Sequence, residues 1–141
     1  MRVYIETSAV VAWLLDQEAG WLAYDALRNA DVVISSDLTV VECERALRRR
    51  VASREVSAER ATLLRAEFYA MASAWSLVGI GPEIVSRASE SFPDDLIRSM
   101  DAIHLATAVR ARASVGELAI VSLDDRVRSN GQQLGFQVLP S

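Results

Sequence analysis

The sequence predicts an α/β fold with three layers, α/β/α, around a mostly parallel central sheet. Two observations carry this. Short runs rich in β-branched residues, such as Asp31–Ser35 and Leu118–Leu123, alternate with longer stretches whose apolar residues recur at helical spacing. Strands separated by helices make βαβ units, whose crossovers cover both faces of a parallel sheet. A third observation sets the extent: no internal repeat or linker interrupts the 141 residues, so a single domain over 1–141 is expected.

The elements follow in order. Arg2 to Ile5 alternates polar and apolar residues and reads as a short strand. Glu6-Thr7-Ser8 is then a turn, with Thr7 or Ser8 as cap to a helix over Ala9–Glu18. Asp31–Ser35 is the second strand, and Thr39 opens a long helix through Arg45, Leu47 and Arg48-Arg49-Arg50. From Ser57 to Ser76, the positions Ala61, Leu64, Phe68, Met71 and Trp75 form a helical apolar stripe that marks core or interface. Trp75–Ile80 enters a third strand closed by Gly81-Pro82, and a short helix covers Glu83–Glu90. The next helix, opening at Ser99-Met100-Asp101, runs to Gly116. Leu118–Leu123 is the clearest buried strand, Arg126–Leu134 a short helix with a possible break at Asn130-Gly131, and Phe136–Leu139 a closing strand.

Composition narrows the function classes. The longest uncharged apolar run, Ala9–Leu15, is far too short to span a bilayer. Glu6 interrupts the place where a secretory leader needs apolar residues, so a cytoplasmic protein is expected. Cys43 stands alone and reads as a small buried apolar residue. All 15 basic residues are arginine, which removes Schiff-base chemistry and the phosphate-binding lysine of a P-loop. The net charge of −4 argues against a general polyanion binder but not against a nuclease whose acids hold metal ions.

Four acids are the candidate chemistry. Glu6 and Asp124 follow strands, and Glu42 and Asp101 sit in the first turns of helices. In a parallel sheet these places share one edge, outside the carboxyl ends of the strands. Each acid also has a plain structural use. Glu42 suits a capping box with Thr39, Asp124 or Asp125 suits the start of the following helix, Asp101 gains from the helix dipole, and Glu6 suits its own turn. Oxygen-only ligands suit Mg²⁺ or Mn²⁺, and no Cys/His cluster is present for zinc. His104 reads as a helix-surface or core residue. The Arg45, Arg48, Arg49, Arg50 and Arg54 group reads as a solvated helix face unless it borders the crevice, where arginine forks suit phosphate.

Four segments, in this order, resemble the PIN-domain ribonucleases, and within them the VapC toxins of toxin–antitoxin pairs: Ile5–Ala9, Thr39–Leu47, Asp101–Ala108 and Val121–Arg126. The resemblance runs from Arg2 to Val138. It implies a homodimer, Mg²⁺- or Mn²⁺-dependent endonucleolytic cleavage of RNA by an activated water, and a VapB-type antitoxin whose C-terminal segment blocks the site. On that pattern Glu42, Asp101 and Asp124 match acidic positions, and Ser8 and Ser122 match hydroxyl positions beside them.

Glu6 departs from the pattern, which usually has Asp there. The extra methylene shifts the carboxylate by roughly 1 Å, a scale that matters to a catalytic constellation. The expectation is a metal-dependent endoribonuclease with Glu6 and Asp101 as main metal ligands, aided by Glu42 and Asp124. The alternative is a catalytically weakened PIN-like module that pairs with antitoxin or RNA without cutting. A receiver domain is disfavoured by the missing lysine. A haloacid-dehalogenase-like phosphatase is disfavoured by Ser8, where a second Asp would stand.

Overall fold

The computed structural model describes all 141 residues. Five strands, β1 (Arg2–Ile5), β2 (Val32–Ser36), β3 (Ser76–Val78), β4 (Ala119–Val121) and β5 (Gln137–Leu139), form one sheet in the order β3-β2-β1-β4-β5. Every pairing is parallel, so the sheet goes beyond the mostly parallel expectation. Tyr4 in the central strand aligns with Ile34 on one side and Ile120 on the other.

Seven helices cover the sheet: α1 (Thr7–Leu14), α2 (Glu18–Arg28), α3 (Asp37–Ala52), α4 (Ala58–Ala72), α5 (Pro82–Ala88), α6 (Ser99–Val115) and α7 (Asp125–Gln133). Alternate residues of a strand point to opposite faces, and β1 shows the consequence. Tyr4 packs with Leu105, Phe92 and Val127 in one core, while Val3 and Ile5 pack with Val10, Cys43 and Phe68 in the other. Leu105 is wholly buried, a position where full burial of a leucine contributes about 1.5–3 kcal/mol. Burial pushes the Cys43 thiol up to about 12, so it packs as an inert apolar group.

Three local expectations need correction. The helix read over Ala9–Glu18 starts earlier, at Thr7 directly after Glu6, and stops at Leu14. Asp16 then takes a left-handed φ of 58°, a conformation short polar Asp tolerates, and the chain turns into α2. Gly20 makes this turn possible, because a Cβ there would lie 2.3 Å from the Ala12 carbonyl carbon and the Trp13 nitrogen. The capping box of Thr39 with Glu42 does not form. Ser36 caps α3 by accepting the Leu38 N–H at 3.0 Å, so Thr39 is a full turn inside and Glu42 is released for other partners. Finally, α7 runs unbroken through Asn130-Gly131. The buried Asn130 amide donates to Arg126 O and its Oδ1 accepts the Asp94 N–H, each at 2.9 Å. Gly131 is there for closeness, since a Cβ would meet Ile120 Cδ1 at 3.1 Å.

Candidate active site

The strand order changes direction at β1, whose two neighbours are β2 and β4. Parallel α/β sheets open a crevice at such a switch, outside the carboxyl ends of the strands. Glu6 is the first residue past β1 and is buried, with its N–H donating to Val121 O of β4 at 2.9 Å. A carboxylate survives burial only when hydrogen-bonded. Here Ser122 Oγ donates to Glu6 Oε2 at 2.8 Å, and Ser8 Oγ makes a short hydrogen bond to the same oxygen. Ser122 Oγ in turn accepts the Asp124 N–H at 3.1 Å, so one hydroxyl links Glu6 to the loop carrying Asp124.

Glu42 approaches from the second turn of α3. Its Oε1 accepts the Thr7 hydroxyl at 2.8 Å and lies 2.6 Å from His104 Nε2. Behind the ring, His104 Nδ1 lies 2.7 Å from the Tyr4 hydroxyl. A carboxylate accepts only, so the 2.6 Å contact makes Nε2 the protonated nitrogen. Burial, with the Glu6 and Glu42 charges nearby, holds the Tyr4 hydroxyl well above its ordinary value and keeps its proton on. Partial burial works against the Glu42 carboxylate. The hydrogen bonds from His104 and Thr7 and the charges of His104 and Arg49 outweigh it, so Glu42 sits below the usual carboxylate range. His104 Nε2 is also 3.9 Å from Glu6 Oε1, which places Glu6, Thr7, Glu42 and His104 in one group.

Asp101 and Asp124 keep their structural duties. Asp101, buried in the first turn of α6, accepts the Arg98 N–H on Oδ2 at 3.2 Å, and the Arg98 guanidinium lies 3.6 Å from the same oxygen. Asp101 lies one turn before His104, and residues three apart share a helix face. Asp124 caps α7, its Oδ1 accepting the Arg126 and Val127 N–H groups at 2.9 and 3.1 Å. The four acids thus have a common feature: one carboxylate oxygen is held by protein donors while the other makes no protein hydrogen bond. Every side-chain donor or acceptor atom wholly shielded from solvent has a partner, so these open oxygens are reached by solvent.

A cleft of about 820 Å³ opens beside this group, lined by Glu6, Thr7, Ser8 and Glu42 at one end and by Arg49 and Arg50 at the other. Asp101 and Asp124 are not on its wall. Nowhere do three His, Cys, Asp or Glu side chains gather into a ready metal nest. What the fold offers is pairwise, Glu6 with Glu42 across Thr7 and His104, and Glu6 with Asp124 across Ser122. Free carboxylate oxygens in twos suit Mg²⁺, which takes one or two protein carboxylates and keeps its waters.

Sequence reasoning gave Thr7 only a capping role, read His104 as a helix-surface or core residue without its partners, and missed Tyr4. Thr7 donates to Glu42, and the only histidine bridges Tyr4 on one side to Glu42 and Thr7 on the other. The signal for Thr7 was its place directly after Glu6. None pointed to Tyr4, whose partner is 100 residues away.

A family model, the PIN domain, matches residues 3–132. Among curated proteins, the chain is 28% identical to Ribonuclease VapC35 of Mycobacterium tuberculosis over 99% of its own length and 87% of that protein. It is 28% identical to Ribonuclease VapC46 of the same organism, over 97% and 95%. Among solved structures, VapBC2 from Rickettsia felis bound to a promoter DNA fragment gives a TM-score of 0.64 at 12% identity, covering 98% of this chain and 97% of that one. A toxin–antitoxin complex from Klebsiella pneumoniae gives 0.66 at 14%, covering 98% and 96%. With its all-parallel sheet, its helices on both faces and acids at the carboxyl edge, this chain belongs to the PIN-domain family.

Proposed function

We propose that this chain is a divalent-metal-dependent endoribonuclease, the toxin of a VapBC-type pair, that hydrolyses RNA phosphodiester bonds. The observation that supports this is the pairing of acids at the carboxyl edge, Glu6 with Glu42 across Thr7 and His104 and Glu6 with Asp124 across Ser122, each carboxylate tethered by one oxygen and open at the other. Glu6 and Asp101 are the main ligands for Mg²⁺ or Mn²⁺, with Glu42 and Asp124 acting directly or through water. When bound, such a cation polarises the phosphate and makes water a nucleophile near neutral pH.

The chain's own residues prepare the site. Ser8 and Ser122 hold Glu6 Oε2, which leaves Oε1 as the presented oxygen. Thr7 and His104 fix Glu42 in its ionised form. No serine touches His104, and the one hydroxyl near its Nε2, Thr7 Oγ1 at 3.2 Å, donates its proton to Glu42, so no hydroxyl–His nucleophile pair is set up and hydrolysis by water is the economical route. No helix is long and apolar enough to cross a membrane. Likeness to VapC ribonucleases and to VapBC assemblies supports a VapB-type antitoxin as partner and an RNA substrate, and a homodimer and a cytoplasmic setting belong to the same proposal.

A second reading, a PIN-like module that binds without cutting, draws on one observation. Both hydroxyls beside the site are spent on Glu6, the residue that replaces the family's usual Asp. The test is incubation of antitoxin-free protein with structured RNAs, with Mg²⁺ or Mn²⁺ and then with EDTA. Cleavage that needs the metal and disappears in Asp101→Asn supports the nuclease. Cleavage that survives chelation ends it, and retained RNA or antitoxin binding with no cleavage favours the second reading.

A further inference from the structure

The cleft beside Glu6 and Glu42 is electrically divided. One end carries the carboxylates, and α3 supplies the rest of one wall through Glu42, Ala46, Arg49, Arg50 and Ser53, residues spaced to share one helix face. Ala46 leaves room between the charged positions. At the far end Arg50 Nη1 is paired with Glu55 Oε2 at 2.7 Å, and Ser53 Oγ also donates to Glu55 at 3.1 Å. Arg49 has no such partner. It makes no ion pair or side-chain hydrogen bond and is solvent-exposed, and its charge acts on Glu42 through space only, so its fork is the one on the cleft wall with no oxygen in it. Its neighbour Arg48 lies off the cleft and pairs with Glu44 at 3.7 Å.

An anionic strand entering toward Glu6 and Glu42 meets like charge, so the approach needs a cation that the protein has not already spent. A guanidinium is suited to the task because its fork matches phosphate oxygens and it stays charged at all working pH. The seven helical steps from Glu42 to Arg49 span roughly 10 Å along the helix axis. That distance is a nucleotide or two of an extended single strand.

We infer that Arg49 is a phosphate subsite: it holds the backbone of a single-stranded RNA one or two nucleotides away from the phosphate facing Glu6 and Glu42, with Ala46 as the floor between them. This rests on the nuclease reading for the identity of the strand. A phosphate contact of this kind is blind to base identity, so it sets affinity and register rather than sequence.

The experiment measures binding of a single-stranded RNA oligonucleotide in EDTA, which keeps the RNA intact, across a salt series. The proteins are wild type, Arg49→Ala, Arg49→Lys and Arg48→Ala. Loss of one phosphate contact weakens Arg49→Ala by about tenfold at low salt and lowers the salt slope by about 0.7. Arg49→Lys keeps the slope with intermediate affinity, and Arg48→Ala matches wild type. Equal loss in Arg48→Ala and Arg49→Ala, or an unchanged slope in Arg49→Ala while wild type binds and cuts RNA, overturns the subsite and leaves the nuclease standing. A wild-type protein that neither binds nor cuts any RNA overturns both.

Discussion

His104 Nε2 stands 2.6 Å from Glu42 Oε1. That contact joins residues 62 apart in sequence, on α6 and α3, and the Tyr4 hydroxyl anchors the same ring to the central strand at 2.7 Å. The orientation of a candidate catalytic acid therefore depends on the floor of the sheet. Removing the ring leaves a wholly buried Tyr4 hydroxyl without its acceptor and Glu42 without its strongest donor. His104→Ala is expected to lose about 2–3 kcal/mol of stability, and Tyr4→Phe about 1–2 kcal/mol. Urea midpoints at unchanged slope check both values.

Glu6 stands where the family pattern has Asp. Glu6→Asp draws the carboxylate back from Ser8 and Ser122 by roughly 1 Å. The expected outcome is faster metal-dependent RNA cleavage than wild type, whereas Glu6→Gln loses it. Two inert proteins that still bind RNA or antitoxin would instead establish a non-cutting module.

Gly20 lets α2 fold back onto α1, the helix that carries Thr7 and Ser8. The missing Cβ sits against backbone, which cannot step aside as a flexible side chain can. Gly20→Ala is expected to cost about 1–3 kcal/mol or more from overpacking. Thermal unfolding checks it, and an unchanged midpoint would show that α2 is not seated on α1 as described.

Glu44 braces α3, the helix of Glu42 and Arg49, against α4. Arg65 Nε lies 2.9 and 3.0 Å from its two oxygens and Tyr69 donates at 3.0 Å. Desolvation acts against the carboxylate, but these hydrogen bonds and the charges of Arg65 and Arg48 hold it below its unfolded value of 4.5. The stabilisation is therefore complete above pH 4.5 and is lost as pH falls through the lower folded value. Glu44→Gln is expected to flatten the acid limb of a stability–pH curve. An identical limb in wild type and variant would count against the brace.

Much of the architecture was legible because it is written locally. Alternating β-branched and helical runs gave five strands and the layers, since periodicities of two and 3.6 are properties of neighbouring residues. The stop after Leu14 was hidden because it uses Asp16, with no Gly or Pro to mark it, and its real cause is Gly20 meeting Ala12 across a helix crossing. At the site, the acids and their two serines could be named from short segments. Their hydrogen bonds could not, because Thr7, Glu42 and His104 meet only through strand order. The expected box of Thr39 with Glu42 failed for the same reason, with Ser36 winning the cap and Thr39 bonding to Ser35 at 2.9 Å.

Binding of Mn²⁺ in solution, followed by its electron paramagnetic resonance, is the most direct check that separate segments share one divalent ion. Wild type is expected to take up the ion, with Glu6→Gln and Asp101→Asn each weakening uptake about tenfold or more while remaining folded. Uptake that is absent in wild type, or equal in all three proteins, would contradict a shared ion at Glu6 and Asp101.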